Sequence, residues 1–315
     1  MMRVKNFLCF KLTLVRVALF LSLFFVAFSC DQADFVEPYE VEDHPVVEQE
    51  EQTDAVVLSP YFEGHLLIAH RGLPDYPENT YVSVDAAVAK GFKAVECDIC
   101  MTADSVFVLS HDMDIARCSN GKGRVNDMTY EQLLAYDFGS WKGRQFVGEK
   151  IARLDDLLDY FKEKGLIIEL DLADETRFKR EWIPPLYELV KRKGMLGQTM
   201  FTATQDEFSD FLSESRDIVI SVSGVTNMTT AQRALPMSKN VLLCNYSIHY
   251  NNLTDKIVDY AHTNGIKVKT WTIVSESKLR ECVDIGVDYI ITELPPEPWP
   301  WKDEGQTSII PIMAD

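Results

Sequence analysis

The sequence predicts an α/β protein, a (β/α)8 TIM barrel with a small inserted cap segment after strand 2. Three observations carry this expectation. From about residue 64, eight short β-branched runs alternate with segments of which most are amphipathic. Several central runs are almost continuously apolar, as parallel strands covered on both faces must be. No GxGxxG or other phosphate-loop glycine pattern follows the first run, so the main sign of a doubly wound open sheet is missing.

The predicted strands lie at 66–70 (LLIAH), 94–99 (AVECDI), 166–172 (LIIELDL) and 200–204 (MFTAT), then at 218–223 (IVISVS), 241–246 (VLLCNY), 267–273 (KVKTWTI) and 288–294 (DYIITEL). Helical periodicity marks 80–90, 154–164, 181–193, 206–214, 252–264 and 276–285. Gly91, Gly165, Gly194, Gly265 and Gly286 follow helical stretches, where a left-handed residue ends a helix. One segment breaks the alternation. After strand 2, only Thr102-Ala103-Asp104-Ser105 precedes another extended run, VFVLSHD at 106–112. Four residues are too few for a parallel crossover, so the two runs form a hairpin. A glycine-containing loop (Ser119 to Gly123) and a short helix at 130–135 follow, and 105–150 reads as an insertion over the top of the barrel.

Composition bounds the function less tightly than the fold. The chain has 315 residues, 46% hydrophobic and 25% charged, which is ordinary globular material. Its formal charge of −18 argues against nucleic acid as a partner, because a phosphate backbone demands a basic face. An anionic small molecule stays open, since a bound divalent cation inverts the local field.

The first 29 residues read as a lipoprotein signal peptide. Arg3, Lys5, Lys11 and Arg16 form a basic region ahead of an apolar run from Val17 to Phe28, too short to span a bilayer comfortably. The run ends in Ala27-Phe28-Ser29-Cys30, which resembles a bacterial lipobox whose cysteine, Cys30, is lipidated. A soluble signal peptide with Cys30 incidental is the plainer alternative. Residues 30–60 follow as a tether; from 31 to about 58 there are ten acidic residues and no Lys or Arg, with no hydrophobic period. The expected location is extracytoplasmic, lipid-anchored to a bacterial membrane at the periplasm or cell surface, with the tether holding the domain off an anionic bilayer. The barrel is assigned to 61–303 and a tail to 304–315. The five cysteines beyond the targeting segment (Cys97, Cys100, Cys118, Cys244, Cys282) show no zinc spacing and read as small buried residues, with room for one opportunistic disulfide.

Glu96 and Asp98 sit two apart in strand 2 and leave the same face; Glu169 and Asp171 repeat the pattern in strand 3. Cys97 and Leu170 then point into the helical layer. Such carboxylates near the C-terminal ends of adjacent strands repel one another unless compensated. A hard divalent cation with oxygen ligands, Mg2+ or Ca2+, resolves this. The alternative is an ion-paired barrel layer without metal, but no basic residue near in sequence offers to pair with four acids. His70 ends strand 1 and is followed by Arg71-Gly72; His111 ends the returning hairpin strand and is followed by Asp112. Two histidines at one rim suit acid–base catalysis, one taking a proton from a nucleophile and the other giving one to a leaving alkoxide. Arg71 brings planar donors for a phosphate.

These residues also carry a resemblance. His70-Arg71-Gly72, Pro77-Glu78-Asn79-Thr80, Glu96-x-Asp98, Thr102-x-Asp104 and His111-Asp112 resemble the glycerophosphodiester phosphodiesterase signature in order and spacing. Arg117 with Gly121-x-Gly123, Glu169, Trp271-Thr272, and Gly286-Val287-Asp288 leading into Ile291-Thr292 extend the likeness over about 65–296. The resemblance implies a barrel with a cap after strand 2 and a divalent cation held by Glu96, Asp98 and Glu169. It implies cleavage of a small-molecule glycerophosphodiester to sn-glycerol 3-phosphate and an alcohol, with His70 and His111 exchanging protons. A neighbouring hydroxyl of the substrate would attack phosphorus, and water would open the cyclic phosphate. Glu78 and Arg71 would position the metal–phosphate assembly, and Trp271 would pack on the glycerol carbons or, alternatively, fill a barrel layer. His249 has no role in this pattern and reads as loop structure.

Two departures stand out: Asp171 replaces the family's usual lysine, and Glu293 replaces an aspartate after the last strand's threonine. Asp171 therefore counts as a substrate-side residue of altered charge. Competing expectations are a phospholipase D-like activity on intact lipids and a catalytically silent surface binding lipoprotein, the latter favoured only by Asp171.

Overall fold

The computed structural model describes residues 55–172 and 180–296. The signal peptide, Cys30, the tether up to residue 54 and the 304–315 tail lie outside the described residues. Nine strands are present among them: β1 (Leu66–His70), β2 (Ala94–Met101), β3 (Phe107–Leu109), β4 (Ile167–Leu172), β5 (Thr199–Ala203), β6 (Val219–Val222), β7 (Leu243–His249), β8 (Lys267–Ile273) and β9 (Tyr289–Thr292). Eight are parallel and close on themselves, because β1 pairs with both β2 and β9. The ninth, β3, runs antiparallel to β2, with Ile99 opposite Leu109 and Ser105 in the left-handed region at the turn, as the four-residue connection requires.

The helices are α1 (Tyr81–Ala89), α2 (Tyr130–Leu133), α3 (Leu154–Lys164), α4 (Ile183–Lys193), α5 (Gln205–Glu214), α6 (Met228–Ser238), α7 (Asp255–Thr263) and α8 (Glu276–Asp284). Their ends follow from local chemistry. Thr80, Thr129, Thr204, Asn227 and Thr254 each accept a backbone N–H from the first turn of the helix they precede. Gly165 and Gly194 end α3 and α4 at φ 66° and 68°, a backbone region that other residues enter only at a cost. In α3, Leu154, Leu157, Leu158 and Phe161 form the buried stripe, the i, i+3, i+4, i+7 pattern of a helix lying on a sheet. The helix α6 is absent from the sequence-based reading. Its Thr-Thr pair and internal Pro236 mask the period, while Ala231 and Ala234 supply the buried face.

The interior of the barrel is divided along its axis. At the N-terminal end it is apolar, packed with Leu66, Ile68, Ala94, Ile167, Met200 and Val219, and closed by Phe62. Phe62 belongs to a short 3-10 turn, Pro60–Phe62, whose Phe62 carbonyl accepts a hydrogen bond from the Tyr289 hydroxyl at 2.9 Å. The tether therefore ends earlier than expected: Ser59 is buried and its N–H donates to the Gly197 carbonyl at 2.9 Å. Further along the same inward faces the side chains become polar, with Glu96, Glu169, Thr202 and Lys269 all buried. Cys97 and Leu170 lie on the opposite face, in the large core between barrel and helices. All five cysteines are free thiols, so no disulfide forms among them.

Residues 105–150 form the expected cap. Its buried Met113, Ile115, Val125, Leu133 and Phe138 are continuous with the large core between barrel and helices, and the chain returns to the barrel at α3.

Candidate active site

At the C-terminal end of the barrel lies a cleft of about 520 Å³ lined by His70, Arg71, Glu96, Asp98, His111, Glu169, Asp171, Lys269 and Trp271, among others. This is the end at which the loops of such barrels build sites. A second cleft of about 370 Å³, walled by Tyr81, Val84, Leu157 and Tyr160, holds no histidine.

The motif residues are explained by the contacts they make. Arg71 takes φ 53° and Gly72 φ 88°, so the chain turns sharply as it leaves β1. A side chain at Gly72 would put its Cβ 2.1 Å from Ser83 Oγ and 2.6 Å from the Ser83 carbonyl carbon, which leaves room for glycine alone. The sharp turn aims the Arg71 N–H at Glu96 Oε2 (3.1 Å) and its guanidinium at Asp98 (Nε to Oδ2, 3.0 Å) and Glu78 (Nη1 to Oε1, 3.1 Å). Asn79, itself at φ 57°, clamps Asp98 from both sides: Nδ2 donates to Asp98 Oδ2 at 2.9 Å, and Oδ1 accepts the Asp98 N–H at 3.1 Å. Pro77-Glu78-Asn79-Thr80 is thus a bracket for the β2 carboxylates and the cap of α1.

His70 and His111 each have a carboxylate on Nδ1. His111 Nδ1 donates to Asp112 Oδ1 at 2.6 Å, and His70 Nδ1 donates to Glu293 Oε1 at 3.3 Å. A carboxylate in that position fixes the tautomer and leaves Nε2 for proton transfer. Asp112 is held in turn by Arg117 (Nε to Oδ2, 2.5 Å), and Arg117 makes two bonds to Glu78, at 2.9 and 2.7 Å. A continuous chain of charge-assisted contacts therefore runs from His111 through Asp112, Arg117, Glu78 and Arg71 to Asp98. The electrostatics follow. Against the upward push of partial burial, hydrogen bonds from Arg117 and His111 hold Asp112 below the usual carboxylate range. The hydrogen bond from His70 does the same for Glu293. Glu96 goes the other way, raised well above its ordinary value by burial, with the charges of Asp98, Glu169 and Asp171 adding to the effect.

The comparisons with known proteins decide the family. The model of the glycerophosphoryl diester phosphodiesterase family matches residues 70–296. The chain belongs to that family. Among the relatives of this family member, YhdW of Bacillus subtilis (strain 168) is 32% identical over 239 residues, covering 73% of this chain and 94% of the relative. The glycerophosphodiester phosphodiesterase of Caldanaerobacter subterraneus subsp. tengcongensis is 27% identical over 248 residues, with coverage of 73% and 94%. Among solved structures, the fold is similar to that of an Oleispira antarctica phosphodiesterase in complex with the product sn-glycerol-3-phosphate. The TM-score is 0.66 at 24% identity, covering 74% of this chain and 94% of that one.

Against the sequence-based expectation, this glycerophosphoryl diester phosphodiesterase family member does contain a base for its buried acids. Lys269, 1% exposed and inward-facing on β8, forms an ion pair with Glu169 Oε1, which also accepts from Thr202 Oγ1 at 2.6 Å. The lysine lies a hundred residues further along the chain, so only closure of the barrel reveals the pairing. The grouping of carboxylates also differs. Glu96, Asp98 and Asp171 each bring a ligand atom to within 4.8 Å of the others, and Glu169, expected as the third member, lines the same cleft with Oε1 paired to Lys269 and Oε2 without a hydrogen-bond partner. Asp171 faces Asp98 in register on the adjacent strand, which explains their meeting.

The donor set of this family member suits a hard divalent cation. Three convergent carboxylates offer oxygen only, and Glu169 Oε2 is buried without a hydrogen-bond partner at the same cleft. Trp271 is 39% exposed and in the cleft wall, which removes the reading of it as a barrel-layer filler. His249 was expected to be loop structure alone; it too lines the cleft, edge-on to Trp271 at 4.9 Å between ring centroids and stacked on Tyr250 at 4.5 Å.

Proposed function

We propose that the protein is a metal-dependent phosphodiesterase that hydrolyses glycerophosphodiesters to sn-glycerol 3-phosphate and an alcohol. The observation that carries this reading is the meeting of His70, His111, Arg71 and a carboxylate group in one cleft at the barrel mouth. Family membership supports it, as does the product bound to the Oleispira antarctica neighbour.

In this reading, His70 Nε2 takes the proton from the glycerol hydroxyl next to the phosphate as that oxygen attacks phosphorus. His111 Nε2 gives its proton to the departing alcohol oxygen. Water then opens the cyclic phosphate with the roles reversed: His111 removes the water proton, and His70 returns its own to the glycerol oxygen. Asp112 and Glu293 stabilise the imidazolium formed at each stage. Glu96 and Asp98, with Glu169 or Asp171 completing the set, would hold Mg2+ or Ca2+, whose charge would polarise the phosphoryl oxygens. Arg71 and Glu78 set the orientation of this assembly, and Trp271 covers the glycerol carbons.

The purified protein is expected to turn over glycerophosphocholine, glycerophosphoethanolamine or glycerophosphoinositol with Mg2+ or Ca2+ present, and to leave intact phospholipid uncut. Cleavage of intact lipid alone would favour the phospholipase D-like alternative; cleavage of nothing would favour a silent binding protein. The lipid anchor belongs to the same proposal and rests on the Ala27-Phe28-Ser29-Cys30 sequence. With Cys30→Ala, labelled fatty acid is expected to be lost from the protein; a processed, membrane-held variant would refute the anchor.

A further inference from the structure

We propose that His249 determines specificity for the terminal hydroxyl of the glycerol group, the one that neither carries the phosphate nor attacks it, by donating a hydrogen bond from Nε2. The inference rests on the glycerophosphodiester reading given above and assigns a task to a residue outside the sequence motifs. Its first support is the state of the ring. His249 ends β7, and its Nδ1 accepts the Asn251 N–H at 3.2 Å, capping the short 3-10 turn Tyr250–Asn252. A ring nitrogen that accepts carries no proton, so the proton of this imidazole sits on Nε2. His70 and His111 are the other way round: their Nδ1 atoms donate to carboxylates, and Nε2 is left to take a proton. His249 is therefore arranged as a donor and not as a third acid–base group. Among the described residues, none accepts from its Nε2.

The second support is placement. His249 and Trp271 are register partners on β7 and β8, and both line the cleft. The His249 ring is edge-on to Trp271 and stacked on Tyr250, and Thr270 Oγ1 donates to the Ile248 carbonyl at 2.9 Å, which pins the end of β7 to β8. A ring held at one nitrogen, one face and one edge presents its remaining N–H with little freedom left to lose on binding. The third support is the order of the strands around the mouth. The phosphate-side residues Arg71, Glu96, Asp98 and Glu169 come from β2, β4 and the end of β1, which adjoin one another in the closed sheet. Trp271 on β8 covers the glycerol carbons in the proposed reading, and β7 is the next strand beyond it. With the attacking hydroxyl at His70, the glycerol chain runs away from phosphorus past Trp271. Its last oxygen then comes level with β7, where Ser247 and Asn252 line the same wall as His249. A hydroxyl oxygen at that point accepts from the Nε2 N–H.

The test compares glycerophosphocholine with the choline diester of 2-hydroxypropyl phosphate, which keeps the attacking hydroxyl and lacks only the terminal one. Steady-state kinetics are measured for the full chain and for His249→Phe, with MgCl2 or CaCl2 present. The phenyl ring keeps the stacking shape and removes the N–H, and thermal melts confirm that the variant is folded. The wild type is expected to favour glycerophosphocholine in kcat/KM by about three- to tenfold, the worth of one neutral hydrogen bond. The difference should lie mainly in KM, because this hydroxyl is remote from the reacting atoms. In His249→Phe the two diesters should be used within about twofold of each other. A second readout is independent of turnover. By calorimetric titration, sn-glycerol 3-phosphate should bind the wild type about three- to tenfold more tightly than 2-hydroxypropyl phosphate, and the variant should bind the two alike. A wild type indifferent to the terminal hydroxyl overturns the proposal, as does a His249→Phe variant that keeps the wild-type preference. In both cases glycerophosphocholine is still cleaved, and only the role of His249 is wrong. If the wild type cleaves no glycerophosphodiester, the functional reading fails and takes this proposal with it.

Discussion

Replacing either histidine is expected to lower kcat on a glycerophosphodiester by at least about 10²-fold, the usual worth of a positioned acid or base. The expectation applies to His70→Ala and His111→Ala separately, because each handles a proton in both halves of the reaction. The double variant should fall little below the worse single one, since two groups serving one proton cycle are strongly non-additive. KM should move much less than kcat, as neither ring is needed to hold the phosphate. Steady-state kinetics of the three variants check this, and near-normal turnover in either single variant removes that histidine from the mechanism. Asp112→Asn provides an internal control. It keeps the ring contact but weakens the hold on the His111 proton, so it should cost less than His111→Ala.

Removing the lysine in the barrel interior should have the largest effect on stability. Lys269→Met leaves Glu169 buried with Thr202 as its remaining partner, and breaking a buried pair from one side costs about 3–5 kcal/mol. Lys269→Met/Glu169→Gln should recover most of that loss, because no uncompensated charge remains. Urea unfolding in EDTA measures both, the chelator ensuring that no cation substitutes for the lysine. If Lys269→Met is as stable as the wild type, the ion pair is not a feature of the folded protein.

The fold was legible because its signals are local. Alternating β-branched and amphipathic runs, helix-ending glycines and a four-residue connection each report on a few neighbouring residues, and strands, hairpin and cap follow from them. The helix at Met228–Ser238 escaped because Pro236 and two threonines weaken local propensity, and tertiary burial of Ala231 and Ala234 overrides it. The site was legible where its logic runs along one strand. Glu96 with Asp98, and Glu169 with Asp171, could be placed on common faces from spacing alone. What could not be read was which acid faces which base across the lumen. Lys269 is a hundred residues from Glu169, and Glu293 is 223 from His70, so neither partnership has a local signature. Asn79 lies between these cases. It belongs to a motif visible in the sequence, but its clamp on Asp98 emerges only when α1 docks on the barrel.

The most direct test of the proposed chemistry is to follow glycerophosphocholine by 31P NMR in the presence of the purified protein and MgCl2 or CaCl2. The expected result is replacement of the diester signal by that of sn-glycerol 3-phosphate, halted by EDTA and restored by either cation. A diester signal that persists with both cations present, that gives way to phosphocholine, or that decays equally fast in EDTA would contradict it.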